Sequence, residues 1–217
     1  MIIVYIFLPI LTWGINDIKG FFNHPIRFSY SVFIVLESII LGIKFYKNPI
    51  NPLNSKGKEE KLVKLQRIIF PINRLLTIII LLSSSYFDKN GILVFVENSF
   101  IRISGLILFI SGTLLALWSN IHLGKQYSVD VTIQESHKLI TDGPYSKIRN
   151  PMYTGIIIST IGMALIFRSI IGLVLNIPII LLFIWRISEE EKILRNEFKE
   201  KWDEYFNKTK RLVPFIY

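Results

Sequence analysis

The sequence predicts an all-α, polytopic integral membrane protein. Of its 217 residues, 51% are hydrophobic and only 19% are charged, and the mean hydropathy is +0.47. A soluble domain of this length is usually less apolar and more highly charged. Several apolar runs also approach the roughly 20 residues that a helix needs to cross a bilayer. Together these observations indicate a membrane domain without a separate soluble domain.

About six transmembrane helices are expected, over residues 2–15, 28–46, 68–87, 101–119, 151–167 and 170–185. The last two runs would each measure roughly 25 Å as helices, and we expect a close hairpin joined at Arg168 and Ser169. The first run is short, so an arrangement of five spans, with this run lying in the interface, is the alternative. Its N-terminus lacks a charged n-region and a cleavage pattern, which favours a retained span over a signal peptide.

Loop charge predicts the orientation of these spans. The net charge is +9, and the connections over residues 47–67 and 120–150 are the long basic ones. Positive loops favour the cytoplasmic side and attract anionic lipid, so six spans with both termini in the cytoplasm are expected. A solvated loop is the preferred interpretation of 47–67, with an interfacial helix from Lys58 as the alternative. Since this charge follows loops, we expect membrane lipid, and no nucleic acid, as a partner.

Two further local elements are predicted. A turn is expected over residues 88–91, where the sequence reads DKNG. An amphipathic helix is expected over residues 187–207, continuing from the last span into the cytoplasm, because large apolar residues recur at helical spacing. Within it, Glu191 and Arg195 are spaced as a favourable i,i+4 ion pair.

Several classes of site have no support in the sequence. There are no cysteines, so thiolate nucleophiles and thiolate metal ligands are excluded. The three histidines have no metal-binding spacing, and no metal is expected. Serine hydrolase, P-loop and dinucleotide-binding motifs are also absent from the sequence.

The longest polar, turn-rich segment lies between apolar runs, over residues 137–155. Within it, Asn150 is a favoured N-cap and Pro151 a favoured first helical residue, so a helix is predicted to begin here. The free N–H groups of such a helix start suit a carboxylate or phosphate, and Arg149 could add a guanidinium. The alternative is a well-capped membrane helix with an arginine that reaches the interface.

A second candidate pair lies at the end of the last span. Arg186 and Glu190 are four residues apart and share a helix face, where an arginine could hold a substrate anion. An ordinary i,i+4 ion pair is the alternative. Glu189 and Glu191 lie on other faces of this helix and are expected to be solvated.

The order of these motifs resembles the isoprenylcysteine carboxyl methyltransferase family, whose broader relatives include the phospholipid N-methyltransferases. The resemblance rests on LG at 123–124, LITDGPY at 139–145, RNPMYTG at 149–155, RISEEE at 186–191, then Leu194, Trp202, Tyr205 and RLVPF at 211–215. It covers roughly residues 120–217. The chain is accordingly predicted to comprise membrane scaffold helices over 1–119 and a methyltransferase core over 120–217.

The resemblance implies S-adenosylmethionine bound at the cytoplasmic mouth of the final hairpin, walled by the preceding loop and the last amphipathic helix. A lipophilic or lipid-modified acceptor, such as a prenylcysteine-type carboxylate, would enter from the bilayer. Arg186 matches the arginine that positions the substrate carboxylate. The residues implied to line the cofactor are His137, Lys138, Leu139, Ile140, Tyr145, Arg149, Asn150, Pro151, Met152, Tyr153 and Glu190.

The sequence departs from the family at two places. Many members have histidine where this chain has Asn150, and residues 115–118 lack the basic residue of the eukaryotic carboxyl methyltransferases. A lipid amine or a small thiol therefore remains open as the acceptor. A membrane reductase that uses NADPH is the competing enzyme class, and a transporter is the non-enzymatic alternative.

Overall fold

The structure is a computed structural model that describes residues 2–47, 63–124 and 139–213. Within these ranges it consists of helices, turns and two isolated β-bridges, with no β-strand. The predicted all-α class is therefore confirmed.

The helices largely follow the predicted apolar runs. A π-helical segment, Ile3–Phe7, leads into α1. The α-helices are α1 Leu8–Trp13, α2 Ile18–Asn23, α3 Pro25–Lys47, α4 Val63–Asn90, α5 Ser99–Leu123, α6 Pro151–Ile166, α7 Ile170–Phe198 and α8 Glu200–Lys208.

Helix α4 is longer than expected at both ends. It already covers residues 63–67, which were predicted to be loop, and it continues through Asp88, which was predicted to lie in a turn. The helix ends at Asn90, and Gly91 follows with φ 66°. Once a helix is nucleated, adding residues is favourable until a breaker such as glycine intervenes. Residues 48–62, which hold the rest of the predicted loop, lie outside the described residues.

The single amphipathic helix predicted over 187–207 is interrupted. Lys199 has φ 46° and ψ −117°, and it separates α7 from α8. Its carbonyl accepts the N–H groups of Trp202 and Asp203, so α8 starts at this residue. No glycine or proline marks the break in the sequence. Helix α8 buries Trp202 and Tyr205, and burying their apolar area offsets the strained backbone of Lys199.

Among the described residues, three helices are long and apolar enough to cross a membrane: Pro25–Ile43, Ser99–Leu123 and Ile170–Phe198. Two shorter apolar helices, Ile3–Trp13 and Pro151–Ile166, accompany them. The membrane character of the chain agrees with the sequence, whereas the number of six spans remains a prediction.

The described residues divide into two compact units. The first comprises those within Met1–Leu53, Leu75–Ile110 and Ser159–Ile177. Its core is aromatic: Tyr30 lies 5.0 Å from Phe109 and 6.1 Å from Phe167 between ring centroids, and Phe167 also contacts Phe21. All four side chains are buried. The α5 and α6 backbones meet closely here, since a Cβ on Gly162 would lie 2.4 Å from the Phe109 nitrogen.

A buried ionic cluster joins four segments of the first unit. The carboxylate of Asp88 accepts hydrogen bonds from Arg27 at 3.1 Å, from Arg102 at 2.9 and 3.0 Å, and from Arg168 at 2.7 and 2.9 Å. Glu97 adds a second carboxylate, which accepts from Arg102 at 2.7 and 2.8 Å. Because buried charges need partners, this cluster ties the start of α3, the end of α4, the start of α5 and the α6–α7 turn together.

The second unit comprises the described residues within Asn54–Arg74, Ser111–Ile158 and Pro178–Tyr217. Here α5 and α6 approach through Gly155, where a Cβ would lie 2.6 Å from both the Ala116 nitrogen and the Gly112 oxygen. Small residues that allow such close backbone approach are typical of helix pairs in membranes. All the described candidate site residues lie in this unit.

Candidate functional site

The first turn of α6 and the C-terminal half of α7 contribute side chains to one polar cluster. Arg186 donates from Nε to the Tyr153 hydroxyl at 2.8 Å and to Glu190 Oε1 at 2.9 Å. The Tyr153 hydroxyl in turn donates to Glu190 Oε1 at 2.7 Å. The structure thus brings together three of the residues that the sequence nominated, and it confirms the i,i+4 geometry of Arg186 and Glu190.

Burial distinguishes the members of this cluster. The Arg186 side chain is 0% exposed, whereas that of Glu190 is 19% exposed. Tyr153 is buried and packs on Phe183, with ring centroids 5.0 Å apart. An exposed arginine at a membrane interface would be free to change its direction, but this guanidinium is held in one place. Glu190 is therefore the most exposed of the three side chains in the cluster.

The helix start predicted at Asn150 and Pro151 is confirmed. Helix α6 begins at Pro151, and the Asn150 carbonyl accepts the N–H of Thr154 at 3.1 Å. The side chains before it, however, already have an anion. Arg149 Nε donates to Glu191 Oε1 at 2.9 Å, and Asn150 Nδ2 donates to the same oxygen at 3.2 Å.

The expectation that Glu191 is solvated is wrong. Its side chain is only 8% exposed, and its second oxygen accepts from Arg211 at 2.9 and 2.6 Å. The predicted pair with Arg195 does not form, since Arg195 instead lies 3.1 Å from Asp203. Glu191 follows the fully buried Ile187 by four residues, so helical spacing alone places it on the buried face of α7.

The C-terminal segment completes this part of the site. Residues around Lys210 run parallel to the segment before α6: the Lys210 N–H donates to the Lys147 carbonyl, and the Arg149 N–H donates to the Lys210 carbonyl at 2.7 Å. Thr154 Oγ1 donates to the Leu212 carbonyl at 2.8 Å. Lys210 and Leu212 therefore have specific backbone partners at the start of α6 and in the segment just before it.

The loop before α6 and the first two residues of that helix contain further candidate residues. Leu139 and Ile140 are half-buried in non-helical backbone, and Tyr145 is buried in a 3-10 turn, Gly143–Ser146. The Tyr145 carbonyl accepts a hydrogen bond from the Tyr205 hydroxyl at 2.8 Å. The burial of the Tyr205 side chain raises the pKa of its hydroxyl above the ordinary value. Pro151 is buried and Met152 half-buried. His137 and Lys138 lie outside the described residues.

These residues fit S-adenosylmethionine in part. Glu190 is an anionic acceptor suited to an ammonium or a ribose hydroxyl, and the backbone at 139–141 is not engaged in a helix, so its polar groups can bind a ligand. Arg149 and Asn150 are poor candidates for the cofactor carboxylate, because Glu191 occupies them. Within the ranges described, no group of three or more His, Asp or Glu side chains could hold a metal ion.

Comparison with known proteins shows that the segment carrying this cluster is similar to methyltransferases. Residues 100–201 match the family model described as phospholipid methyltransferase. The matched segment includes Tyr153, Arg186, Glu190 and Glu191. The part of the chain that carries the site is therefore similar in sequence to this family.

Individual relatives are more specific. The chain is 29% identical over 115 residues to protein-S-isoprenylcysteine O-methyltransferase B of Arabidopsis thaliana, covering 52% of this chain and 58% of the relative. It is 28% identical over 123 residues to a probable protein-S-isoprenylcysteine O-methyltransferase of Oryza sativa subsp. indica, covering 55% of this chain and 64% of the relative. The predicted resemblance is confirmed. The matches span less than two thirds of the length of these relatives.

Proposed function

We propose that the protein is an S-adenosylmethionine-dependent methyltransferase that acts on a lipophilic acceptor at the membrane–cytoplasm interface. One observation carries the proposal: the hydrogen-bonded cluster of Tyr153, Arg186 and Glu190 lies within the segment that matches the methyltransferase family. The similarity to the protein-S-isoprenylcysteine O-methyltransferases of Arabidopsis thaliana and Oryza sativa also supports it.

The chain contributes mainly binding and orientation to such a reaction. S-adenosylmethionine supplies a methyl group on a sulfonium, which an acceptor displaces in line, so positioning contributes more than acid–base work. Glu190 and the backbone of residues 139–141 would hold the cofactor. Arg186, fixed by Tyr153 and Glu190, would orient an anionic acceptor. A carboxylate acceptor would require no general base.

A prenylcysteine-type carboxylate is the acceptor we favour. Its support is the activity for which the relatives from Arabidopsis thaliana and Oryza sativa are named. A phospholipid amine is the second candidate, supported by the description of the matching family model. The two differ in the charge that the acceptor presents, since a carboxylate suits Arg186 and an ammonium suits Glu190.

The proposal includes an orientation and a division of labour. We place both termini and the cofactor site on the cytoplasmic side, with six spans, because the basic connections 47–67 and 120–150 then face the cytoplasm. Residues 1–119 would serve as the membrane scaffold and residues 120–217 as the methyltransferase core.

Thermal unfolding of the detergent-solubilised protein with S-adenosylhomocysteine or NADPH tests the enzyme class. Stabilisation by S-adenosylhomocysteine alone is expected, since a ligand that binds only the folded state raises the unfolding temperature. Stabilisation by NADPH alone would contradict the proposal of a methyltransferase and would favour a reductase. Transfer of a labelled methyl group to N-acetyl-S-farnesylcysteine, compared with transfer to vesicles containing phosphatidylethanolamine, then separates the two acceptors.

A further inference from the structure

His122, near the C-terminal end of α5, contacts the turn that precedes α6. Its Nε2 lies 3.1 Å from Asp142 Oδ1, and its ring is stacked on Tyr145 at an interplanar angle of 22° and a centroid distance of 6.4 Å. The hydrogen bond from His122 lowers the pKa of Asp142. Thus one imidazole touches residues on both sides of Gly143.

Gly143 itself rests directly on this ring. Its φ is 56°, a left-handed conformation, and a Cβ there would lie 2.7 Å from His122 Cε1 and 2.8 Å from Nε2. A side chain at this position would be strained and would also collide with the imidazole. The backbone of the turn at Gly143 therefore packs directly against the imidazole of His122.

Side chains from other elements hold the far side of the turn. The Tyr145 carbonyl accepts from Tyr205, and the Tyr145 hydroxyl reaches the Ser119 carbonyl at 3.5 Å. At the near side, Asp142 has a side chain that is 78% exposed, and its recorded ion-pair partner among the described residues is His122. An ion pair this exposed contributes little to global stability. Its contribution would be local, in fixing where the backbone of the turn lies.

We propose that His122 is a positioning residue for the cofactor-binding turn. By holding Asp142, Gly143 and Tyr145, it sets the backbone of residues 139–145 for S-adenosylmethionine. The inference rests on the proposed function, which assigns this backbone to the cofactor. A preorganised loop binds its ligand more tightly, because less conformational freedom is lost on binding.

Calorimetric titration of the full-length, detergent-solubilised protein with S-adenosylhomocysteine tests the proposal. We expect His122→Ala to raise the Kd about ten-fold, and His122→Asn, which keeps an N–H donor, to restore part of the affinity. Asp142→Asn should weaken binding about three-fold by the same loss of loop order. The unliganded unfolding temperature should change by no more than about 2 °C, since the pair is exposed.

His24 offers a matched control. It also places an imidazole beside a carboxylate, 3.8 Å from Glu97, and its side chain is 26% exposed against 29% for His122. It belongs to the first unit, which contains none of the residues assigned to the cofactor. His24→Ala should therefore leave the Kd unchanged.

Kinetics give an independent readout. His122→Ala should raise the KM for S-adenosylmethionine while the KM for the acceptor and the kcat at saturating cofactor stay the same. An effect on all three constants would indicate general damage and overturn the proposal.

The binding outcomes separate the two hypotheses. If the unaltered protein does not bind S-adenosylhomocysteine, the proposed function is wrong and the role of His122 is lost with it. If the unaltered protein binds, two outcomes overturn only the positioning role. One is a Kd for His122→Ala within two-fold of that of the unaltered protein, and the other is an equal loss of affinity in His24→Ala. Should His122→Ala not fold, an unchanged Kd in Asp142→Asn overturns it instead.

Discussion

Arg149 and Glu191 form a buried ion pair, 2.9 Å from Nε to Oε1, across 42 residues of chain. Their side chains are 6% and 8% exposed. Asn150 and Arg211 donate to the same carboxylate. One side chain of α7 thereby anchors both the segment that begins α6 and the C-terminal tail. The anion that the start of α6 attracts is one that the protein itself supplies.

Removing this carboxylate should destabilise the protein strongly. Glu191→Ala would remove the carboxylate that neutralises Arg149 and Arg211, and loss of one member of a buried ion pair typically lowers the free energy of unfolding by about 3 kcal/mol. Thermal or denaturant unfolding measures the change. The control is Glu197→Ala, the same substitution at an exposed position of α7, which should stay within about 0.5 kcal/mol. Equal effects in the two variants would contradict the role of Glu191.

Glu190 and Arg186 should separate binding from turnover. Glu190→Ala is expected to weaken S-adenosylhomocysteine binding about ten-fold or more, because a carboxylate facing a ligand cation is lost. Arg186→Ala should mainly reduce kcat, since that residue is assigned to the acceptor. Calorimetry and steady-state kinetics measure these effects, again with Glu197→Ala as the control. Unchanged affinity in the Glu190 variant would remove this residue from the cofactor site.

The close approach of α5 and α6 can be tested with a single methyl group. In Gly155→Ala the new Cβ would meet backbone atoms of Gly112 and Ala116 at 2.6 Å, which cannot rotate away. We expect a loss of about 1–3 kcal/mol in the free energy of unfolding. Gly42→Ala provides the comparison, because a Cβ there would meet nothing within 4 Å and alanine favours the helix. A Gly155 variant as stable as the Gly42 variant would show that the helices are not in contact.

Glu97 predicts a dependence of stability on acid. The hydrogen bonds from Arg102, with the nearby charges of Arg102 and Arg168, lower the pKa of Glu97 from 4.5 to about 2. A depressed pKa stabilises the folded state above the ordinary value, and this stabilisation is lost as the pH falls from 4.5 towards 2. The difference in unfolding temperature between the natural protein and Glu97→Gln should therefore be constant near neutral pH and shrink below about pH 4.5. A difference that persists unchanged at pH 3 would refute it.

Features set by nearby residues could be predicted from the sequence. Asn150 followed by Pro151 is a local signal for a helix start, and Arg186 and Glu190 meet because helical spacing alone brings i and i+4 together. The apolar runs likewise predicted the helices, because whether a segment is placed in a protein core or in a membrane depends on the composition of that segment. The resemblance to methyltransferases rests on the order of the motifs rather than on any one of them.

Features that depend on distant partners could not be predicted in this way. Glu191 looked like one member of an acidic run, because its partners Arg149 and Arg211 are remote in the chain. Asp88 looked like a turn residue because two of the three arginines that bind its buried carboxylate, Arg27 and Arg168, are also remote in the chain. The break at Lys199 has no glycine or proline signal, and the two side chains buried after it, Trp202 and Tyr205, depend on tertiary structure for their burial.

The arginine cluster around Asp88 also constrains the order in which the first unit can be assembled during synthesis. Arg27 is translated before Asp88, and Arg168 emerges 80 residues after it. A buried charge without its full set of partners is unfavourable, so the nascent N-terminal helices are left with an incomplete network until the α6–α7 turn is made. Completion of this unit is therefore a late event in biogenesis, and a ribosome that stops before Arg168 leaves a chain that cannot close it.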